Sequence, residues 1–131
     1  MKILVIDDDP AMTELLKLLL QPAASEVTTA NSGPEGVNLA QTVSPDVIIL
    51  DLMMPDMDGW EVCHAIREKS SIPILILSAL DNPGMVARAL DAGADDYLIK
   101  PVPSGVLIAH LQNLVRRANA VKPIYSSLSP D

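Results

Sequence analysis

A rhythm of short apolar runs constrains this chain more than any other feature. Ile3–Ile6, Val47–Leu50, Ile74–Leu77 and Tyr97–Ile99 are rich in β-branched residues, and helix-length segments separate them. A weaker strand signal at Glu26–Ala30 makes five. Runs that stay apolar throughout, instead of alternating, describe strands covered on both faces, as in a parallel sheet with crossover helices. At 131 residues the chain makes one domain, large enough to bury a core without disulfides or a structural metal.

The intervening segments carry helix punctuation. Asp9-Pro10 pairs an N-cap with a first-turn proline, opening a helix whose Met12, Leu15, Leu16, Leu19 and Leu20 recur at helical spacing and are expected to face inward. Ser32 and Glu35 form a capping box for a second helix, with Val37 and Leu39-Ala40 turned to the core. Asp58-Gly59 leads into Trp60–Arg67, Asp81-Asn82-Pro83 into Met85–Asp91, and Ser104 into a last helix expected to end at Arg117. Gly93 suits the position just past the fourth helix. Trp60, Cys63 and His64 on the third helix are expected to pack or face solvent.

Charge and composition remove several functions. Nine Lys and Arg stand against 17 Asp and Glu, a net charge of −8, so nucleic-acid phosphates would repel the chain and direct nucleic-acid binding is not expected. The imbalance lies in residues 1–100, with 6 basic and 16 acidic side chains, whereas residues 101–131 carry 3 and 1. Trp60, Tyr97 and Tyr125 are the sole aromatics, too few for a set of base- or sugar-stacking platforms. Cys63 is the single cysteine; it forms no internal disulfide, has no Cys partner for zinc and fits a reducing compartment. No apolar run approaches a membrane span, and the opening residues reach Asp7 without a secretory signal pattern. A cytoplasmic location and no membrane contact are expected.

Right-handed crossovers most often bring a (βα)5 unit to strand order 2-1-3-4-5, with the ligand crevice beyond the carboxyl ends of strands 1 and 3. The first strand runs into Asp7-Asp8-Asp9 and the third into Asp51, so carboxylates converge there; Asp9 is best assigned to capping. Acidic residues also follow strands simply as turn formers. Convergent carboxylates, however, repel one another unless a cation neutralises them, which suits a hard, oxygen-preferring ion such as Mg²⁺. No His stands at these strand ends, which argues against zinc. Ser78 ends the fourth strand and Lys100-Pro101 follows the fifth, where a cis bond would be one way of aiming the lysine inward. A cation, a hydroxyl and an ammonium around one carboxylate make a receptacle for a phosphoryl group, with the carboxylate attacking in line.

Four motifs in order, Ile3-Leu-Val-Ile-Asp-Asp-Asp-Pro10, Asp46-Val-Ile-Ile-Leu-Asp-Leu-Met-Met-Pro-Asp-Met-Asp-Gly59, Pro73-Ile-Leu-Ile-Leu-Ser-Ala79 and Gly93-Ala-Asp-Asp-Tyr-Leu-Ile-Lys-Pro101, resemble the receiver domain of two-component response regulators. The resemblance spans residues 2 to about 118 and implies a flavodoxin-like, doubly wound (βα)5 three-layer sandwich. It implies that Asp51 is the phosphoacceptor, that Asp7, Asp8, Asp51 and the main-chain carbonyl of Met53 hold Mg²⁺ or Mn²⁺, and that Lys100 contacts the phosphoryl group. Ser78 would be the switch hydroxyl and Tyr97 the aromatic that changes rotamer. The implied donor is a sensor histidine kinase or a histidine phosphotransfer protein. Met53 and Leu80 flank the implied site, where they would tune the phosphoryl lifetime.

Gly93–Tyr97 and Arg116-Arg117 further resemble the subfamily that dimerises through the fourth helix, fifth strand and fifth helix and carries a winged-helix DNA-binding domain. Arg88, Asp95, Asp96 and Arg117 fall where that subfamily places interface charges. Val106 and His110 replace an expected acid and arginine, and Val102 stands where Phe often follows the Lys-Pro. The implied domain covers residues 1–118, with 119–131 a flexible tail or the start of a linker to an output domain. Two other readings remain. A degenerate, unphosphorylated receiver would act as a protein-binding module, but the full set Asp7, Asp8, Asp51, Ser78 and Lys100 counts against it. A haloacid-dehalogenase-type phosphohydrolase needs a second Asp two residues beyond the nucleophile, where Met53 stands.

Overall fold

Alternate residues of each apolar run point to opposite faces of one sheet, and both faces are buried along Ile3–Ile6, Val47–Leu50 and Ile74–Leu77, whereas Tyr97–Ile99 at the sheet edge is only partly covered and Ile99 is exposed. In the computed structural model, which describes the backbone of residues 1–128 and the side chains of residues 1–120, the order is β1 (Lys2–Ile6), α1 (Pro10–Leu20), β2 (Glu26–Ala30), α2 (Gly33–Thr42), β3 (Val47–Leu50), α3 (Gly59–Arg67), β4 (Ile74–Ser78), α4 (Pro83–Asp91), β5 (Asp96–Ile99) and α5 (Ser104–Leu128). A 3₁₀ turn at Gln21–Ala23 follows α1. All strand pairs are parallel in the order β2-β1-β3-β4-β5, the expected three-layer (βα)5 sandwich.

The period of two sorts the core. Leu4, Ile6, Ile48, Leu50, Ile74 and Ile76 meet Ala40 of α2, Val62, Cys63 and Ile66 of α3 and Ala89 of α4. Ile3, Val5, Val47, Ile49, Leu75 and Leu77 meet Leu16 and Leu20 of α1 and Leu107, Leu111 and Leu114 of α5. Each such side chain contributes about 1.5–3 kcal/mol when fully buried, which is why the buried stretches Ile3–Ile6, Val47–Leu50 and Ile74–Leu77 contain no polar residue.

Helix starts follow the punctuation. Asp9 accepts from the Ala11 N–H, Ser32 from Glu35, Asp58 from Glu61 and Asn82 from Gly84. The capping box is shifted by one residue: Glu35 Oε1 accepts the N–H of Asn31 at 2.7 Å, so the box closes before the cap residue itself. Gly93, at φ +114°, ends α4; its N–H donates to Leu90 O and the Ala94 N–H reaches back to Ala89 O.

Two expectations are corrected. The buried residues of α1 are Thr13, Leu16 and Leu20, whereas Leu15 is 48% exposed and Leu19 41%. The apolar stripe on α1 is wider than the strip of sheet it covers, and its flank faces outward. The last helix continues past Arg117 to Leu128; of the tail expected over 119–131, residues 129–131 lie outside the described residues. Among the described residues no helix is long and apolar enough to cross a membrane.

Candidate functional site

Parallel strands aim all their carboxyl ends at one edge of the sheet, and every group expected there arrives. Asp7 and Asp8 follow β1, Asp51 follows β3, Ser78 closes β4 and Lys100 follows β5. Asp7, Asp8 and Asp51 each offer a carboxylate oxygen within 4.8 Å of the others. The Lys100 ammonium lies 3.1 Å from Asp7 Oδ2 and 3.8 Å from Asp51 Oδ2. The Lys100-Pro101 bond is cis.

Each group is held by local structure. Asp7 is nearly fully buried; its N–H donates to Ala30 O of β2 and its Oδ1 accepts the Asp9 N–H at 3.0 Å. The loop after β3 is pressed against the start of α3, where a Cβ on Gly59 would sit 2.5 Å from Leu52 Cα and 2.7 Å from Asp51 O. Only glycine permits that approach, and it keeps Asp51 at the sheet edge. Leu52 and Met54 are buried and plug this loop from below, whereas Met53 is 58% exposed beside Asp51 and its N–H donates to Asp51 Oδ1 at 3.4 Å. Ser78 is fully buried and its hydroxyl accepts the Leu80 N–H at 3.3 Å.

The electrostatics are unbalanced. Three carboxylates share one ammonium, and burial pushes the Asp51 carboxyl above its usual range; Lys100 opposes that shift and Asp7 reinforces it. An all-oxygen cluster with surplus negative charge fits a hard divalent cation rather than a soft metal. Tyr97 donates from its hydroxyl to the main-chain oxygen of Leu80 at 2.7 Å, joining β5 to the loop after β4. Burial also raises the Tyr97 phenol.

The charges expected on an interface are mostly occupied within the chain. Arg88 lies over the Trp60 ring, 4.0 Å from its centroid, Asp95 pairs with Arg67 at 2.5 Å, and Asp96 meets His110 Nδ1 at 2.7 Å. Arg117 is exposed, without such a partner among the described residues. On α3, Cys63 is buried with its thiol pushed up to about 11, His64 is exposed and Trp60 packs against the core. Sequence reading missed Asn31, whose amide reaches the Asp7 main chain from the end of β2. Its position after the strand adjoining β1 was the available signal.

Comparison with known proteins agrees with this arrangement. A family model described as the response regulator receiver domain matches residues 3–112. The transcriptional regulatory protein AfsQ1 of Streptomyces coelicolor is 42% identical over 115 residues, covering 88% of this chain and 51% of that protein. A probable transcriptional regulator ycf27 of Guillardia theta is 40% identical over 126 residues, covering 96% and 49%. The chain thus spans about half the length of these relatives. Among solved structures, the receiver domain of the Francisella response regulator 1452 superposes with a TM-score of 0.83 at 36% identity, covering 89% of this chain and 98% of that one. The chemotaxis protein CheY4 of Vibrio cholerae gives 0.81 at 35% identity, covering 86% and 97%.

Proposed function

Because this chain belongs to the response regulator receiver domain family, we propose that it receives a signal as a phosphoryl group on Asp51, with Mg²⁺ or Mn²⁺ held by Asp7, Asp8, Asp51 and the main-chain carbonyl of Met53. The observation that carries the reading is the convergence of three carboxylates, one ammonium and one buried hydroxyl on a single sheet edge. When bound, the divalent ion supplies positive charge against which the phosphoryl oxygens and the carboxylates can be brought together.

An ionised oxygen of Asp51 attacks the phosphorus of a phosphohistidine presented by a histidine kinase or phosphotransfer protein. A P–O bond forms as the P–N bond breaks, and the imidazole nitrogen keeps the electron pair. Lys100 lowers the cost of keeping Asp51 ionised, then offers its ammonium to a phosphoryl oxygen. Ser78 turns its hydroxyl to another, which draws the loop after β4 towards Asp51. Tyr97, tied to that loop through Leu80 O, follows, so the site and the α4–β5–α5 face share one equilibrium. The chain catalyses its own modification and is not an enzyme acting on a separate pool of substrate.

A second copy would meet this chain through Arg88, Asp95, Asp96, His110 and Arg117, exchanging the present intrachain pairs for pairs between copies. Residues 1–118 form the receiver, with 119–131 a tail or the start of a linker to an output domain. The printed names of the relatives make transcriptional regulation the expected output, exerted through that further domain and not by direct nucleic-acid contact of this acidic one. Its site of action is the cytoplasm.

Intact mass after incubation with a small acyl phosphate tests the reading. A single phosphoryl adduct that requires Mg²⁺ and disappears in Asp51→Asn is expected. Modification of Asp51→Asn would move the acceptor elsewhere, and no adduct under any condition would leave an unphosphorylated binding module.

A further inference from the structure

We propose that Asn31, together with Thr13, is a positioning residue for the metal-binding carboxylates; this rests on the reading of Asp7, Asp8 and Asp51 as a divalent-cation site. Asn31 follows β2, the neighbour of β1 whose carboxyl end contributes nothing to the chemistry above. Its Nδ2 amide donates to the main-chain oxygen of Asp7 at 3.0 Å and to the hydroxyl of Thr13 at 3.1 Å. Thr13 is 2% exposed, and its hydroxyl donates in turn to Pro10 O at 3.1 Å. The Asn31 N–H is fixed by Glu35 of α2. One amide therefore joins the end of β2, the loop after β1 and the first turn of α1.

The oxygen that Asn31 grips belongs to the peptide linking Asp7 to Asp8. The Asp7 side chain has its own restraints, Lys100 at 3.1 Å and the Asp9 N–H at 3.0 Å. Asp8 has none: it is exposed, and its carboxylate makes no hydrogen bond among the described residues. Its direction is set by the backbone, which two side chains hold: Asp7 through the Asp9 N–H, and Asn31 through the oxygen of the Asp7–Asp8 peptide itself. Groups that orient ligands from behind commonly change metal affinity by about 10–100-fold when removed, because the ordering they supply in advance must otherwise be met on binding.

Calorimetric titration of Mg²⁺ into the metal-free chain tests the inference. Asn31→Ala is expected to weaken binding about tenfold. Thr13→Val should weaken it less and Thr13→Ser, which keeps the hydroxyl, should restore it. In acyl-phosphate labelling, the Mg²⁺ concentration for half-maximal rate should rise by the same factor as the affinity falls, with the rate at saturating Mg²⁺ nearly unchanged. Amide exchange at Asp8 and Asp9 should quicken without metal. Unchanged Mg²⁺ affinity in Asn31→Ala, even with a lower melting temperature, would reduce Asn31 to a structural residue and overturn the proposal. If Asn31→Ala does not fold, the Thr13→Val and Thr13→Ser pair decides: equal affinities overturn it. A flat titration of the unmodified chain is a separate result that removes the metal reading and this inference with it.

Discussion

The two ends of the sheet treat charge in opposite ways. At the carboxyl ends, Asp7, Asp8 and Asp51 crowd together, and among the described residues the one cation paired within the cluster is Lys100, which meets Asp7 and Asp51. At the amino ends of β4 and β5, the guanidinium of Arg67 donates to Gly93 O, Ser70 O, Ile72 O and Asp95, and Asp95 also accepts the Ile74 N–H. One end is left short of positive charge and open to a ligand; the other is closed by complementary donors and acceptors. Satisfied polar groups stabilise a fold, whereas a cluster with a standing deficit stores the preference for whatever arrives to neutralise it.

Lys100→Ala should give the largest effect, because it deepens the deficit where charge is transferred. Acyl-phosphate labelling of Asp51 is expected to slow by about 100-fold, the usual cost of losing one preorganised donor at a reacting centre. A rate within about threefold of the unmodified chain would make the lysine a bystander. Arg67→Ala strikes the satisfied end and should cost about 1–3 kcal/mol of stability in denaturant titration, through orphaned carbonyls and an unpaired Asp95. Its Mg²⁺ affinity should be unchanged. A loss of both would show that the two ends are not independent.

Much of the first end was legible in the sequence, and little of the second. Strand ends are marked by where apolar runs stop, and topology alone then brings Asp7, Asp51, Ser78 and Lys100 to one edge. Arg67 and Asp95 lie on different elements with no local pattern to pair them, so the sequence does not show that Asp95 has an intrachain partner. The α1 stripe was overread for a related reason: helical period identifies residues that share a face, but the width of the sheet beneath decides which are covered. Thr13 takes a buried place that apolarity alone would have denied it.

Asp51→Asn tests the deficit by removing one of its charges. Burial raises the Asp51 carboxyl in the folded chain, so the folded state holds its proton more tightly than the unfolded one. The Asp51 contribution to stability is therefore fully present at pH below the unfolded value and falls as pH rises through the folded one. Metal-free Asp51→Asn should match the unmodified chain at low pH and melt about 2–4 °C higher at neutral pH, a modest gain because Lys100 already offsets part of the penalty. Mg²⁺ should reverse the order by stabilising only the unmodified chain. A variant that melts lower at neutral pH without metal would contradict the deficit.

The smallest effect belongs to the element between the two ends. Helix α4 buries only Ala89, whereas α3 buries Gly59, Val62, Cys63 and Ile66. The Arg88 guanidinium of α4 also lies over Trp60 of α3, whose indole Nε1 is buried and has no hydrogen-bond partner among the described residues. A double-mutant cycle of Arg88→Met with Trp60→Phe should give a coupling of about 0.5–1 kcal/mol, the range for a cation over an aromatic face near the surface. That is small enough for a population shift to break, and large enough to favour the unphosphorylated position of α4. If the coupling vanishes in the phosphorylated chain, the stacking is one of the contacts exchanged on activation. If it persists unchanged, α4 moves with α3 as one body, and the signal must reach the α4–β5–α5 face through Tyr97 alone.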